Sequence, residues 1–168
     1  KDLQLTAFGS VTTVKNEVEK LFGGQDIINA YSSITILREG LAANTFYLPR
    51  YAGVNPANGE PLYYNADGEI TNSFSYDYSV ALEGKSPAPK YFGNFGLNAR
   101  YKGFELDANF FYQGGNYIFN YAHTAVLMSD GENASDNQRV DAFNYWKQPG
   151  DVHVLPKLLL KVQGDFTL

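Results

Sequence analysis

Cysteine is absent from the chain, and its 168 residues include only one methionine and one tryptophan. Without cysteine there is no disulfide framework and no thiolate metal site. Small disulfide-stapled scaffolds and cysteine-type zinc sites are therefore excluded. The absence leaves the cellular compartment open, because exported bacterial proteins often lack the residue as well.

The chain also lacks an excess of positive charge and any long apolar run. Its 13 lysines and arginines face 18 aspartates and glutamates, so the formal net charge is −5. This balance gives no support to nucleic-acid binding, which requires a basic patch. No segment approaches the roughly 18 consecutive apolar residues of a membrane-spanning helix. A role in a membrane would therefore require β-strands.

Aromatic residues and glycine are abundant instead. The chain has 13 tyrosines, 12 phenylalanines and 16 glycines. Aromatic side chains favour strands, whereas glycine and the many asparagines favour turns and ordered loops. We predict an all-β chain that forms one domain or a piece of a larger one.

The segment Gly93–Gln113 carries the clearest pattern in the chain. Apolar and polar residues alternate on both sides of Lys102-Gly103, and successive side chains of a strand point to opposite faces. Phe111 is the exception on the polar side. The apolar face consists of Phe95, Leu97, Ala99, Tyr101, Phe104, Leu106, Ala108, Phe110 and Tyr112. The polar face consists of Asn94, Gly96, Asn98, Arg100, Glu105, Asp107, Asn109 and Gln113.

A two-residue turn at Lys102-Gly103 predicts the register of this hairpin. It places like residues opposite one another on both faces, which is how an antiparallel pair is specified. The predicted pairs are Tyr101 with Phe104, Arg100 with Glu105, and Asn98 with Asp107. Leu3–Thr13 alternates in the same way, with Phe8 as its exception, and predicts a further strand.

Two classes of protein contain such a hairpin. A soluble sandwich buries the apolar face on a second sheet. A transmembrane barrel turns the apolar face to lipid and the polar face to its lumen. Aromatic residues lie at both ends of the apolar face, about 20 Å apart along a tilted barrel axis, as two aromatic girdles would. The alternation alone leaves both classes open.

The rest of the chain alternates short strand-like pieces with long polar segments. We predict a turn at Asn55–Gly59 and one or two short loop helices. A brief helix or turn covers Asn16–Phe22 and stops at Gly23-Gly24. A short helix covers Asp136–Lys147 and follows a capping box at Ser135–Gln138. Short turns on one side and long loops on the other are typical of outer-membrane barrels and favour that class.

No pattern of catalytic residues stands out. There is no nucleophile elbow, no phosphate-binding glycine loop and no HExxH motif, so we predict no enzyme activity, no cofactor and no metal centre. His123 and His153 are the only histidines, and no further ligands stand at a workable spacing. Asp67, Glu69 and the acidic run Asp130–Asp136 suit calcium, but surface turns are the better interpretation because Asp, Asn and Gly populate turns freely.

Four aromatic residues of the last long loop are candidate ligand contacts. Asparagines lie among them, and flat rings beside amides suit a sugar or a peptide. The alternative is that these residues pack the loop against itself or against a partner. The four residues are Tyr117, Tyr121, Tyr145 and Trp146.

Four segments of the chain recur, in the same order, in one known family. They are GLAANTFY (Gly40–Tyr47), YAGVNPANGEPLYYNADGE (Tyr51–Glu69), SPAPKYFGNFGLNARYKGFELDANFFYQGGNYIFN (Ser86–Asn120) and YWKQPGDVHVLP (Tyr145–Pro156). Together they resemble the later barrel strands of SusC/RagA-type TonB-dependent outer-membrane transporters. The opening LTAFGSVTTVKNEVEKL is similar to a strand of the same family, so the resemblance covers most of the chain.

The resemblance implies an antiparallel transmembrane β-barrel fragment with long extracellular loops, internal to the C-terminal half of a barrel of about 22 strands. The plug, the TonB-contacting segment and the closing strand are expected outside this chain. The implied activity is TonB-driven import of glycans or peptides across the cell outer membrane of a Gram-negative bacterium, in a SusCD-type complex. The implied partners are a SusD-type surface lipoprotein, TonB, an oligosaccharide or peptide substrate, and the lipid bilayer, with no nucleic acid.

The resemblance also orients the fragment. It implies that the turns at Asn55–Gly59 and Lys102-Gly103 are periplasmic and that the long loops are extracellular. The competing prediction is a soluble β-sandwich that binds carbohydrate, and exposure of the apolar face separates the two. The residues expected to face the lumen are Asn98, Arg100, Glu105, Asp107 and Asn109.

Overall fold

The computed structural model describes residues 3–29, 34–121, 140–152 and 155–157. Within this part of the chain the predicted all-β class is confirmed: the strands form three antiparallel sheets, with short 3-10 turns at Phe22–Gly24, Tyr76–Tyr78 and Val140–Phe143. None of the helical segments described has the length and apolar character needed to cross a membrane. The strands are β1 (Leu3–Thr13), β2 (Ile27–Ile28), β3 (Thr35–Leu37), β4 (Thr45–Leu48), β5 (Tyr51–Val54), β6 (Pro61–Tyr64), β7 (Ile70–Thr71), β8 (Val80–Ala81), β9 (Tyr91–Tyr101) and β10 (Phe104–Gly114).

The main sheet has the strand order β1-β9-β10, and each of its strands is 11 residues long. β1 runs antiparallel to β9 from Leu3 opposite Tyr101 to Thr13 opposite Tyr91. β9 and β10 form the predicted hairpin. Its register is the predicted one, with Tyr101 opposite Phe104, Arg100 opposite Glu105 and Asn98 opposite Asp107.

The two-residue turn of this hairpin explains the register. Lys102 has φ 45° and Gly103 has φ 85°. Positive φ at both central positions is the conformation of a type I′ turn, whose twist matches the twist of the flanking strands. Glycine adopts this conformation without a steric penalty, which is why it occupies the second position.

The apolar face of the main sheet is uncovered. Leu106 is 59% exposed and Phe110 is 54% exposed, and the leucines of β1 are exposed as well. Phe95 and Phe110 stack on each other, with ring centroids 5.0 Å apart, rather than on a second layer. A sandwich would bury these side chains, so the sheet does not form one within the described residues. Nor does it close by itself, since β1 and β10 are its edge strands.

The connection from β1 to β9 contains the small core of the first structural unit, which comprises residues 1–47 and 81–118. This core includes Ile36 of β3 and Thr45 of β4, whose exposed fractions are 2% and 1%. Both strands belong to a sheet of order β2-β3-β4-β8. The burial of these residues gives the loop its own ordered packing, as large surface loops require.

Of the brief helix or turn predicted over Asn16–Phe22, the helix does not form, and a 3-10 turn at Phe22–Gly24 lies at the end of the segment. The Val18 amide donates to the Leu41 carbonyl at 2.8 Å, and the Gly40 amide donates to the Val18 carbonyl at 2.9 Å. These bonds hold the segment extended, and the Glu39 carboxylate accepts from the Leu21 amide at 2.8 Å. Backbone groups that a helix would use are therefore satisfied by residues distant in sequence.

The second structural unit comprises residues 48–80 and 119–168, and its sheet has the order β5-β6-β7. Asn55–Gly59 forms the predicted turn between β5 and β6. The Gly59 amide donates to the Asn55 carbonyl at 2.8 Å, and the Asn55 side chain accepts from the Ala57 amide at 3.0 Å. Val54 is buried beside this turn.

The strands that flank Asn55–Gly59 are too short for the spanning strands that the expected periplasmic turn requires. β5 and β6 have four residues each, which gives about 13 Å of strand, whereas a barrel strand needs about 9–11 residues to cross a bilayer. The whole stretch also lies within the single connection that leaves the main sheet after Thr13 and re-enters it at Tyr91, opposite each other at the end away from Lys102-Gly103. A turn inside that connection is not a turn between spanning strands.

The helix predicted over Asp136–Lys147 is only partly described. Residues 136–139 lie outside the described part, together with the capping box. Val140–Phe143 forms a single 3-10 turn. The prediction is wrong beyond it, because Tyr145 makes a parallel bridge with Leu155 and the Trp146 amide donates to the Leu155 carbonyl at 3.2 Å.

Candidate functional site

The polar face of the main sheet brings together all five residues predicted to face a lumen. Because cross-strand partners share a face, the register arranges this face in five rows of three residues. Counted from the Lys102-Gly103 turn, the rows are Gln4–Arg100–Glu105, Thr6–Asn98–Asp107, Phe8–Gly96–Asn109, Ser10–Asn94–Phe111 and Thr12–Phe92–Gln113.

Hydrogen bonds connect the side chains of the two rows nearest the turn. Nε and Nη2 of Arg100 both donate to Oε1 of Glu105, at 2.9 and 2.7 Å. Nδ2 of Asn98 donates to Oδ1 of Asp107 at 2.9 Å and approaches Oε1 of Glu105 at 3.4 Å. The two rows thus carry one cation and two carboxylates, and the Asp107 carboxylate is bonded by an amide rather than by the guanidinium.

The sheet has an open cavity at each end. At the turn end, a cavity of about 270 Å³ is lined by Gln4, Arg100, Glu105 and the turn residues. At the other end, a cavity of about 210 Å³ is lined mainly by apolar atoms of residues such as Val14 and Lys90. Neither cavity holds an arrangement of nucleophile and base, and neither suggests catalytic chemistry.

Tyr117 is held close to the second of these cavities by backbone and charge contacts. Its amide donates to the Ser86 carbonyl at 2.9 Å, and the Lys85 ammonium lies 5.7 Å from its ring centroid. The buried Ser86 hydroxyl in turn donates to the Ala43 carbonyl at 2.9 Å. The ring of Tyr117 is exposed, so it remains a candidate contact for a ligand.

The other three predicted aromatic residues belong to the second unit. Nε1 of Trp146 donates to the Pro56 carbonyl at 3.2 Å, and the indole lies against Gly59. These contacts attach the segment to the Asn55–Gly59 turn, which is a packing role. The Tyr145 ring lies 5.2 Å from the Lys147 ammonium, and Tyr121 is largely exposed.

Four aromatic residues of the second unit form a continuous edge-to-face series that sequence reasoning missed. The ring centroids are 5.9, 5.1 and 5.0 Å apart along the series, which consists of Tyr51, Tyr63, Phe74 and Tyr76. Burial and the neighbouring Tyr63 raise the pKa of Tyr51. The series joins residues from different strands and a loop, so no local spacing in the sequence could have indicated it.

Hydrogen bonds hold Glu60 and the turn at Asn65–Glu69 in this unit. Hydrogen bonds with Asn72, donating from Nδ2 at 3.1 Å, and with Asn58 lower the pKa of Glu60. The Asn65 side chain accepts from the amides of Asp67 and Glu69, at 3.0 and 2.8 Å, as in an Asx turn.

No cluster of three or more metal-binding side chains exists in the described ranges. The acidic run Asp130–Asp136 and both histidines, His123 and His153, lie outside them. The structure therefore bears on the calcium alternative only at Asp67 and Glu69, where the surface-turn interpretation accounts for the geometry.

No protein-family model matches the chain, and no curated protein is similar to it in sequence. Solved structures are similar. The RagAB peptide transporter matches with 30% identity and a TM-score of 0.78, over 94% of this chain and 18% of that chain. The RagAB peptide importer matches in its open-open state with 29% identity and a TM-score of 0.79, over 94% of this chain and 17% of that chain. In its closed-closed state the importer matches with 30% identity and a TM-score of 0.79, over 94% of this chain and 18% of that chain.

These matches confirm the resemblance to SusC/RagA-type transporters that the sequence predicts. The chain spans less than a fifth of the length of the transporter chains it matches. Its antiparallel strands thus match a segment of solved structures that are transporters.

Proposed function

We propose that the chain is a segment of a TonB-dependent outer-membrane transporter that imports peptides. In this proposal the main sheet is part of the barrel wall, with its apolar face to lipid and its polar face to the lumen. The residues between β1 and β9 and those after β10 form the external loops. A SusD-type lipoprotein is the proposed outer partner, and TonB acts through a part of the protein outside this chain.

The uncovered apolar face of the main sheet is the observation that carries this proposal. Three adjacent strands of 11 residues present one face made almost wholly of apolar side chains, and its large members Leu5, Leu106 and Phe110 are exposed. Eleven residues rise about 36 Å, or about 27 Å along the axis of a barrel whose strands are tilted by about 40°. This height matches the apolar band of about 25 Å in outer-membrane barrels. Peptide rather than glycan as the substrate is supported by the similarity to the RagAB peptide transporter.

The proposal is tested in the source bacterium with the full-length gene product. We expect it in the outer-membrane fraction, solubilised only by detergent and with heat-modifiable migration. Deletion of the gene should abolish uptake of labelled oligopeptides, and removal of TonB should have the same effect. A soluble protein would contradict the barrel. Loss of labelled oligosaccharide uptake with unchanged peptide uptake would retain the transporter and overturn the substrate class.

A further inference from the structure

Three phenylalanines interrupt the polar face of the main sheet, and all three lie in the three rows farthest from the Lys102-Gly103 turn, which form the half called aromatic below. Phe8 shares a row with Gly96 and Asn109, and Phe111 shares the next row with Asn94. Phe92 lies in the last row. Phe8 and Phe111 are the two exceptions to the alternation that the sequence shows, and a polar face exposed only to water does not explain them.

The fold supports Phe8 without burying it. The ring lies over Gly96, where a Cβ atom would be 2.5 Å from Cζ of Phe8 and 2.5 Å from Oδ1 of Asn109. Any side chain at position 96 would therefore displace the ring. Phe8 remains 47% exposed and Phe111 remains 68% exposed, so both rings present apolar surface on the polar face.

The polar face thus has an aromatic half and a charged half. In the charged half, the Arg100 guanidinium is engaged by Glu105. Asp107 receives its hydrogen bond from the neutral amide of Asn98. With one cation and two carboxylates, the charged half has an excess of negative charge next to the aromatic half. A ligand that complements both halves carries an apolar group and a cation.

The spacing of the side chains points to a peptide. On β10 the residues Asp107, Asn109 and Phe111 share the polar face at intervals of two, which places them about 7 Å apart along the strand. The alternate side chains of an extended peptide repeat at the same distance. Asn109 lies between the carboxylate and the ring, where its amide can bond to the backbone of such a peptide.

We propose that the polar face of β1, β9 and β10 contains a subsite for an extended peptide, with a hydrophobic side chain against Phe8 and Phe111 and a cationic group at Asp107. This subsite rests on the proposed function, because it places the polar face in the lumen. It narrows the substrate class to peptides that carry a basic residue close to an aromatic or aliphatic one.

The test measures the binding of defined peptides to the purified full-length protein in detergent by fluorescence anisotropy. The probe is carboxyl-terminally labelled Ala-Lys-Ala-Ala-Ala-Phe-Ala, whose lysine and phenylalanine are four residues apart, as Asp107 and Phe111 are. The comparison probes replace its lysine by glutamate or its phenylalanine by alanine. We expect Phe8→Ala and Phe111→Ala each to raise the Kd of the first probe about threefold to tenfold. The Kd of the probe without phenylalanine should not change.

Charge and face specificity are tested with two more variants. Asp107→Asn should reduce the preference for the lysine probe over the glutamate probe about twofold to fivefold. Phe104→Ala removes an exposed ring from the apolar face of the same strand, so it should leave every Kd unchanged. If Phe8→Ala fails to fold, judged by heat-modifiability, Phe8→Leu takes its place and should weaken the first probe by a smaller factor.

Two outcomes overturn the subsite. The first is a wild-type Kd in every polar-face variant. The second is a lower unfolding temperature without a change in Kd, because this result would show that the two rings pack against another part of the protein. The assay needs neither TonB nor a membrane. Side-chain-selective binding without cellular uptake would therefore refute the proposed transport and leave the subsite intact.

Discussion

Arg100 lies directly opposite Glu105 across the Lys102-Gly103 turn, and both its Nε and its Nη2 donate to the same carboxylate oxygen. The pair is exposed on the polar face, with 59% and 46% of the two side chains accessible to solvent. Exposed ion pairs contribute little to stability. The ion pair instead specifies the register of the hairpin, because the opposite charges face each other only when the two strands are correctly aligned.

Reversal of one charge in this pair should therefore matter more than its removal. We expect Arg100→Ala to leave the urea unfolding midpoint of the folded transporter nearly unchanged, whereas Arg100→Glu should lower it by placing two carboxylates opposite each other. The double variant Arg100→Glu with Glu105→Arg should recover most of the loss. A double variant no better than the single reversal would contradict the pairing.

The proposed lipid contact of the apolar face is tested at Leu106. Leu106→Arg should destabilise the inserted protein by about 2–4 kcal/mol, the cost of a charge near the bilayer midplane on the lipid face of a barrel. Heat-modifiable migration and the amount in the outer-membrane fraction measure the effect. Asn109→Arg, which places the same charge on the polar face of the same strand, is the matched control and should insert normally. Equal behaviour of the two variants would refute the assignment of faces.

The turn at Asn55–Gly59 depends on a glycine that Trp146 covers. Gly59 has φ +75°, and an added Cβ would lie 2.5 Å from Cε3 of Trp146. Gly68 has φ +82°, and a Cβ added there would have no atom within 4 Å apart from its chain neighbours. Gly68→Ala should therefore lower stability only by the strain of the left-handed conformation, about 1–2 kcal/mol.

Gly59→Ala should cost more than this control because the indole must also move. Hydrogen exchange of the amides of β5 and β6 measures the difference. Protection equal in the two variants would show that Trp146 does not pack on this turn in solution.

A pH dependence is expected at Glu60, because hydrogen bonds with Asn72 and Asn58 lower its pKa in the folded state. A carboxyl group whose folded pKa is below its unfolded value stabilises the fold above the unfolded pKa, and this contribution is lost as the pH falls through the folded pKa. Protection of the β5–β6 amides, corrected for intrinsic exchange, should fall on acidification below about pH 5. Glu60→Gln should weaken that dependence, and an unchanged profile would contradict the role of the carboxylate.

Local signals in the sequence were reliable for the β9–β10 hairpin. The β9–β10 hairpin, its turn and its three predicted residue pairs follow from alternation of period two and from a Lys-Gly dipeptide. Each of these signals acts within a few residues. The five residues assigned to one face share it for the same reason, since a correct register places every second side chain on the same side.

The errors arose where partners are distant in sequence. The spacing around Val18 predicts a brief helix or turn, yet the backbone of Val18 bonds to Gly40 and Leu41. Tyr145 was predicted to continue a helix, yet it pairs with Leu155. In both cases a local helical spacing was overridden by backbone hydrogen bonds that no short window of sequence contains.

By itself the sequence determined the antiparallel strands, their two chemically different faces and the alignment across the Lys102-Gly103 turn, because alternation and turn chemistry act between neighbours. Only the tertiary structure decided that β1 lies beside β9 and that everything between them is one connection. It also decided that Phe8 and Phe111 share one half of the polar face. These relationships depend on hydrogen bonds between strands separated by about half of the chain. Side-chain periodicity carries no information about which distant strand becomes the partner.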